Sequence, residues 1–304
     1  MQNDRPILGI LFMLGFCMLA PLGDSMAKLL AAKLAIVYLL TFRFIAQVLL
    51  LAPIMAVRGW RLNLSRRVWR MTALRTLLHI VGIAAMFTSL IYLPLADAVS
   101  IAFVMPFILL LLGKVFLAEE VGWHRLGASA VGFGGTLLIL QPNLAEVGLP
   151  ALLPLVVAVV FAVFMLVTRS IAKEVDAFTL QAVGGAMAAP PLVLLALFTG
   201  PGLPVLTGAD WLFLALLGAA GTTGHLMMTW SLRFAPASTL APMQYLEIPV
   251  ATLFGWALFS DLPRGAAAAG IAVTVAAGLY VIARERRLQR ATPPATTPAP
   301  PAAE

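Results

Sequence analysis

A single carboxylate, Glu247, stands inside the apolar run 237–259, with Gln244 and Tyr245 within one helical turn before it and Pro249 just after it. A charge inside a membrane-spanning helix costs about 2.5–3.5 kcal/mol on insertion scales, so it needs a partner, a water-filled cavity or a route to the interface. Such a carboxylate can exchange a proton or hold a cationic substrate group, and either role couples binding to conformation. The structural alternative is an ion pair or hydrogen bond that locks its helix to a neighbour.

Basic and aromatic groups form the complementary set. Arg43 lies eight residues into the run 35–57, too deep for easy snorkelling, with Gln47 one turn further in. It suits an anionic substrate group, or an ion pair with Asp24 or Asp97, and either use makes it a candidate outer gate. Arg75 and His79 are spaced i, i+4 on one face of the run 71–92, with Thr76 beside them, and His225 reaches a similar depth in 209–232. Arg75 is shallow enough to snorkel. A neutral imidazole bonded to a carbonyl is the default for a buried histidine, whereas two histidines facing one cavity would relay protons. Two histidines without cysteine or spaced carboxylates make no metal site, and neither a metal nor another cofactor is expected. Phe103, Trp230 and Tyr245 offer rings for a planar substrate group to stack on, or for neighbouring helices to pack against. Pro106 and Pro249 remove N–H groups inside spans, which predicts kinks and hinges there. The expected substrate-binding set is therefore Glu247, Tyr245, Gln244, Phe103, Trp230 and His79. The expected set for proton or charge coupling is Glu247, His225, Arg43 and Arg75. No catalytic residue is expected, because the connectors hold no His/Asp pair or paired acidic motif for a membrane transferase, and no sensory domain for a receptor.

Helices must position these residues. Hydrophobic residues make up 62% of the 304-residue chain and charged residues 11%, with a mean hydropathy of +0.99, which excludes a soluble globular domain. Apolar runs occupy 7–28, 35–57, 71–92, 96–117, 124–141, 149–170, 177–199, 209–232, 237–259 and 265–283. Each fits the roughly 20 residues of one helical crossing, whereas a barrel would show short alternating segments. The expected fold class is an all-α membrane protein of ten transmembrane helices. The first run has no small-residue cleavage pattern and reads as a retained signal anchor. The connectors are too short to fold alone. Cys17 is the single cysteine, which rules out a disulfide framework and a thiolate metal site. Gly218, Gly221 and Gly224, and Gly132, Gly134 and Gly135, permit close helix approach and lack the strand and Lys-Ser/Thr context of a phosphate loop. The Pro- and Ala-rich tail 291–304 is expected to be disordered.

Lys and Arg in the connectors set the orientation. Fourteen fall on one side, including Arg58, Arg61, Arg66, Arg67, Arg70, Arg125, Arg169, Arg233 and Arg284, against Lys28, Lys33 and Arg264 on the other. Both termini are therefore expected in the cytoplasm, in a cytoplasmic (inner) membrane. The net charge of +7 points to anionic lipid headgroups rather than nucleic acid. Trp69, Gly82, Met86, Ser89, Leu90 and Pro94 recur 142 residues later as Trp211, Gly224, Met228, Ser231, Leu232 and Pro236. The offset slips to 143 for Pro106 and Pro249, Gly127 and Gly270, and Gly135 and Gly278. Five helices per unit is an odd number, so the second unit enters from the opposite face, and an inverted pair of this kind supports alternating access. Val104 is the counterpart of Glu247, so the carboxylate breaks the symmetry.

The stretches LPLADAVSIAFVMPFILLLLGKVFLAEEVGWHRLGASAVGFGGTLLIL and APASTLAPMQYLEIPVATLFGWALFSDLPRGAAAAGIAVTVAAGLYVI resemble the two EamA-type repeats of the drug/metabolite transporter superfamily. Glu119 closes a helix in the first, and Asp261 stands where the family more often has Glu. The resemblance covers 7–283, with one five-helix repeat at 7–141 and a second at 149–283. Within it, APMQYLEIPVA looks most like the bacterial S-adenosylmethionine uptake carriers, with riboflavin carriers close in character. It implies a central cavity and secondary active transport of a small amphipathic metabolite, as a monomer or homodimer in the bilayer. Export of amino acids or related metabolites is the alternative direction, and a non-transporting membrane enzyme or receptor is the alternative class. No nucleotide-binding cassette is present to drive an ATP pump.

Overall fold

The computed structural model describes residues 5–59, 62–118, 122–263 and 265–291, and within them every regular element is a helix. In chain order these are α1 (Pro6–Ala31), α2 (Ile36–Arg58), α3 (Arg66–Tyr92), α4 (Leu95–Ala102), α5 (Met105–Leu117) and α6 (Trp123–Val147). A 3-10 turn over Leu149–Leu152 leads into α7 (Leu153–Ile171), followed by α8 (Ala177–Thr199), α9 (Gly208–Phe234) and α10 (Ala237–Leu240). A 3-10 segment, Ala241–Leu246, joins α10 to α11 (Glu247–Phe259), and α12 (Gly265–Ala291) ends the described chain. Arg61, Glu119, Arg264 and the tail beyond Ala291 lie outside the described residues, as do the side chains of Arg125, Arg286 and Arg290.

Among the described residues, seven helical stretches are long and apolar enough to cross a membrane: α1, α2, α3, the α4–α5 run, 149–171, α8 and α9. α12 contributes a shorter apolar stretch, Gly265–Tyr280. Three expected runs fall outside the seven: 265–283 gives only that shorter stretch, and the other two are missing for different reasons. α6 begins on Trp123, His124 and Arg125 and carries Gln141, Pro142 and Asn143 near its end, which dilutes its apolar middle. The run 237–259 is not one helix but α10, a 3-10 segment and α11.

The prolines explain this interruption and its twin. Pro106 stands in the first turn of α5 and Pro249 in the first turn of α11, where a missing N–H leaves no helical bond unmade. Mid-span kinks were the expectation; the helices instead stop before each proline and restart. The stops fall at Phe103–Val104 and at Leu246–Glu247, equivalent positions under the 143-residue repeat offset. α5 and α11 also end alike, on left-handed residues that are not glycine, Ala118 (φ 51°) and Ser260 (φ 57°).

Small residues set the packing. α1 runs antiparallel to α9 with Gly9 against Ala235, Gly15 against Met227 and Gly23 against Gly221. α3 runs antiparallel to α7, placing Arg75 on Thr168 and Gly82 on Phe161. Exchanging the halves of the chain converts one of these contacts into the other, because α1 corresponds to α7 and α3 to α9. Two further pairs map onto themselves. α2 meets α8 through Thr41, whose hydroxyl donates to the Leu192 carbonyl at 3.1 Å, and α6 meets α12 where Gly135 and Gly270 cross. A methyl on either of those glycines would lie within 3.0 Å of the other's carbonyl oxygen. Three helices are capped by side chains: Ser65 accepts from Val68 N–H, Asp176 from Phe178 and Thr179 N–H, and Thr207 and Asp210 form a capping box.

The buried apolar residues form two main layers. One holds Leu30, Leu34, Leu90, Leu93, Leu95 and Ile248; the other holds Met13, Cys17, Leu109, Met165, Leu232 and Met243. α1 contributes to the second layer with its first half and to the first with its second half, so the layers stack along the helix axes. Charge follows the same division. Lys28 and Lys33 pair with Asp261 and Asp210 beyond the first layer, while Arg58 and Arg67 pair with Asp176 and Glu174 beyond the second.

Candidate functional site

A cavity enclosing about 760 Å³, its mouth included, lies where the two layers meet. Its wall is largely apolar and aromatic, with Phe16 from α1, Phe87 from α3, Phe103 from the break after α4 and Phe161 from α7. Four polar side chains reach it: Asp24 from α1, Arg43 from α2, His225 from α9 and Glu247 from α11. Glu247 is the first residue of α11, where the 3-10 segment ends, and its own N–H donates back to that segment's carbonyls.

Arg43 is 2% exposed and its guanidinium is braced from behind. Its Nη1 donates to Gln47 Oε1 at 3.1 Å, and Gln47 Nε2 donates to the Gln181 carbonyl at 2.7 Å. Gly221 leaves the room this guanidinium fills, because a methyl there would fall within 3.0 Å of Nε, Cζ and Nη2. Arg43 Nη2 itself has no hydrogen-bond partner. Asp24 interacts with it electrostatically but forms no ion pair within 4.0 Å, and Asp24 and Glu247 lie close enough to repel each other when ionised. A buried donor left unmade costs its desolvation, about 1–3 kcal/mol and more for a charged group, so the cavity presents a guanidinium ready for an anion. Asp97, the other partner considered for Arg43, instead accepts from Asn143 Nδ2 at 2.8 Å and lies beside Glu146 and Asp261 in a separate pocket.

Below the cavity, His79 and His225 meet Nε2 to Nε2 at 3.1 Å, with ring centroids 4.2 Å apart. A neutral pair makes this bond with one ring donating and the other accepting. Phe44 and Phe164 pack on the His79 ring at 5.2 and 4.9 Å, and Phe16 on His225 at 5.5 Å. Arg75 is 1% exposed; it does not snorkel. Its Nε donates to Thr168 Oγ1 at 2.9 Å, its Nη2 donates to Thr229 Oγ1 at 3.4 Å, and its guanidinium lies 4.5 Å over the Phe164 ring.

Four residues singled out from the sequence, Glu247, Arg43, His225 and Phe103, thus line one cavity. His79 and Arg75 sit behind His225. Tyr245 is fully buried, packed on Gly132 and on Phe103 at 5.6 Å, with its hydroxyl facing Ser129. Gln244 is also fully buried, its Nε2 donating to Met165 Sδ at 3.3 Å. Trp230 packs between Phe12, tilted at 41°, and Phe178, edge-on at 81°, each at 5.2 Å, and is not in the cavity wall. Asp24 was visible in the sequence only as a partner for Arg43, and its place in the cavity wall depends on how α1 packs. The aromatic residues Phe16, Phe87 and Phe161 gave no signal that separates them from other span aromatics. Among the described residues no cluster of three His, Cys, Asp or Glu forms a metal site.

Comparison with known proteins gives this architecture a family. The model of the EamA-like transporter family matches residues 7–141 and again 148–284. A riboflavin transporter of Rhizobium johnstonii is 30% identical over 216 residues, covering 71% of each chain. An S-adenosylmethionine uptake transporter of Rickettsia felis is 25% identical over 271 residues, covering 87% of this chain and 89% of that one. A solved crystal structure shares the fold with a TM-score of 0.67 at 20% identity, covering 93% of this chain and 98% of that one. With both matched regions accounted for by one transporter model and seven membrane-length helices around a central cavity, the chain is a membrane transporter rather than an enzyme and belongs to the EamA-like transporter family, within the drug/metabolite transporter superfamily.

Proposed function

We propose that the chain is a secondary carrier with ten crossings, arranged as inverted repeats at 7–141 and 149–283, that takes up S-adenosylmethionine or a closely related compound by alternating access. It works in the inner membrane with both termini in the cytoplasm. The antiparallel pairing of α1 with α9, α3 with α7 and α6 with α12 supports this arrangement, as does the basic character of one end of the bundle.

The observation that carries the substrate reading is the cavity's charge set. In their ionised forms Asp24 and Glu247 supply two negative charges against the single positive charge of Arg43, whose Nη2 is free. S-adenosylmethionine has a carboxylate for Arg43, an ammonium and a sulfonium for the two carboxylates, and a flat adenine for the surrounding phenyl rings. Its net charge of +1 complements the site. The kinship with riboflavin transporters favours a second reading, in which a neutral flavin stacks on Phe87, Phe103 and Phe161 and leaves the charged groups to interact with one another.

The test is ligand-induced thermal stabilisation of the purified carrier with S-adenosylmethionine, riboflavin and amino acids, with Glu247→Gln alongside. Stabilisation by S-adenosylmethionine that the variant loses supports the first reading. Stabilisation by riboflavin alone, unchanged in the variant, replaces it with the second.

A further inference from the structure

The two ends of the cavity are lined by different chemistry. Between α3 and α9, toward the basic end, lie Arg75, His79, His225 and Thr229, all buried. The 142-residue offset takes these to Leu217, Gly221, Ile83 and Phe87, which line the cavity toward the other end. Every polar member of the first barrier has an apolar or glycine counterpart in the second, so opening the first breaks hydrogen bonds that these second positions do not make; the polar contacts of that end, Lys28 with Asp261 and Lys33 with Asp210, lie farther out. Gly221, the counterpart of His79, leaves the space occupied by the Arg43 guanidinium.

A continuous chain of hydrogen bonds joins the polar barrier to the cavity. Arg43 donates to Gln47, and Gln47 donates to Gln181. Gln181 Nε2 donates to Thr229 Oγ1 at 3.1 Å, Thr229 accepts also from Arg75, and the Thr229 hydroxyl donates to the His225 carbonyl at 2.8 Å. The chain runs from α2 through α8 to α9 and α3, and Thr168 extends it to α7. An anion that engages Arg43 Nη2 therefore pulls on a side chain hydrogen-bonded to Gln47, the first link toward the barrier.

We infer that the His79–His225 bond, held by Arg75, Thr229 and Gln181, is the gate on the basic side of the carrier, and that Arg43 links its opening to cavity occupancy. These are positioning residues: apart from His225 and Arg43 they stand behind the cavity wall, and they act by bridging α3, α8 and α9 through their side chains. The inference rests on alternating access as proposed above and adds which barrier is latched and by what.

A reporter cysteine tests it without knowledge of the ligand. In a Cys17→Ala background, Ala102→Cys places one thiol in the cavity wall, and vesicles of defined orientation are treated with a membrane-impermeant maleimide from either end. Removing the histidine bond (His79→Ala with His225→Ala) or the brace (Gln181→Leu) is expected to speed labelling from the basic end about fivefold, the effect of one net hydrogen bond on a two-state equilibrium. Labelling from the opposite end is expected to fall. His79→Gln with His225→Gln, able to keep one amide-to-amide bond, is expected to return labelling toward that of the parent and also controls for loss of fold. Two-ended labelling that stays within about twofold of the parent in both disrupting variants overturns the gate while leaving alternating access in place. A glutamine pair that labels like the alanine pair also overturns it. A reporter reached from one end only, in the parent and in every variant, overturns alternating access and the gate with it.

Discussion

At the scale of single residues, the cavity is organised by what is left unpaired. Arg43 has one guanidinium nitrogen bonded to Gln47 and another with no partner, and its position depends on the absence of a side chain at Gly221. Gly221→Ala is expected to displace the guanidinium and weaken S-adenosylmethionine binding about tenfold, the loss of one charge-assisted hydrogen bond, with little change in unfolding temperature. Titration calorimetry on the purified variant checks this. Thr229 plays the opposite role. It accepts from Gln181 and Arg75 and donates to the His225 carbonyl, so Thr229→Val leaves two buried donors without an acceptor. A loss of about 1–3 kcal/mol per unmade group is expected, visible as a lowered midpoint in thermal unfolding.

At the scale of elements, the interruptions after α4 and before α11 decide where the site lies. Each brings one residue to the cavity wall, Phe103 in the turn after α4 and Glu247 where the 3-10 segment ends, and is followed by a helix whose first turn holds a proline. Departures from α-helix at membrane depth are tolerated where the backbone is buried in protein or lines a cavity. Pro249→Ala restores an N–H and lets helix propagate back toward Leu246, which would swing Glu247 off its position. Transport by that variant is expected to fall while its unfolding temperature stays near that of the parent. The α6–α12 crossing gives a sharper pair. Gly135 touches the Gly270 carbonyl, so Gly135→Val overpacks the crossing and is expected to destabilise by about 1–3 kcal/mol, whereas Gly127 has open space around it and Gly127→Ala is expected to stabilise by about 0.5–1 kcal/mol. Unfolding midpoints of the two variants against the parent decide between these outcomes.

At the scale of the whole molecule, the halves exchange roles without matching in chemistry. The interruptions, the left-handed ends of α5 and α11 and the paired helix contacts obey the repeat, while Glu247, the histidines and Arg75 do not. An inverted ten-crossing arrangement requires both ends of the chain on one face, and reporter fusions at the two termini are expected to read cytoplasmic together; opposite readings would mean an odd number of crossings. The membrane class, the repeat offset, the segregation of basic residues and the depth of Glu247 and Arg43 all follow from the sequence alone, because hydropathy and spacing are properties of the chain read locally. The interruption at Phe103–Val104 was half legible: Pro106 marked the place, but a kink and a full stop differ only in whether neighbouring helices fill the gap. Which buried groups share a cavity was decided by tertiary structure. Asp24 faces Arg43, Trp230 packs between Phe12 and Phe178, and His79 meets His225 because α1 packs on α9 and α3 on α7 through glycines at particular heights, and that register is a property of the packed helices together.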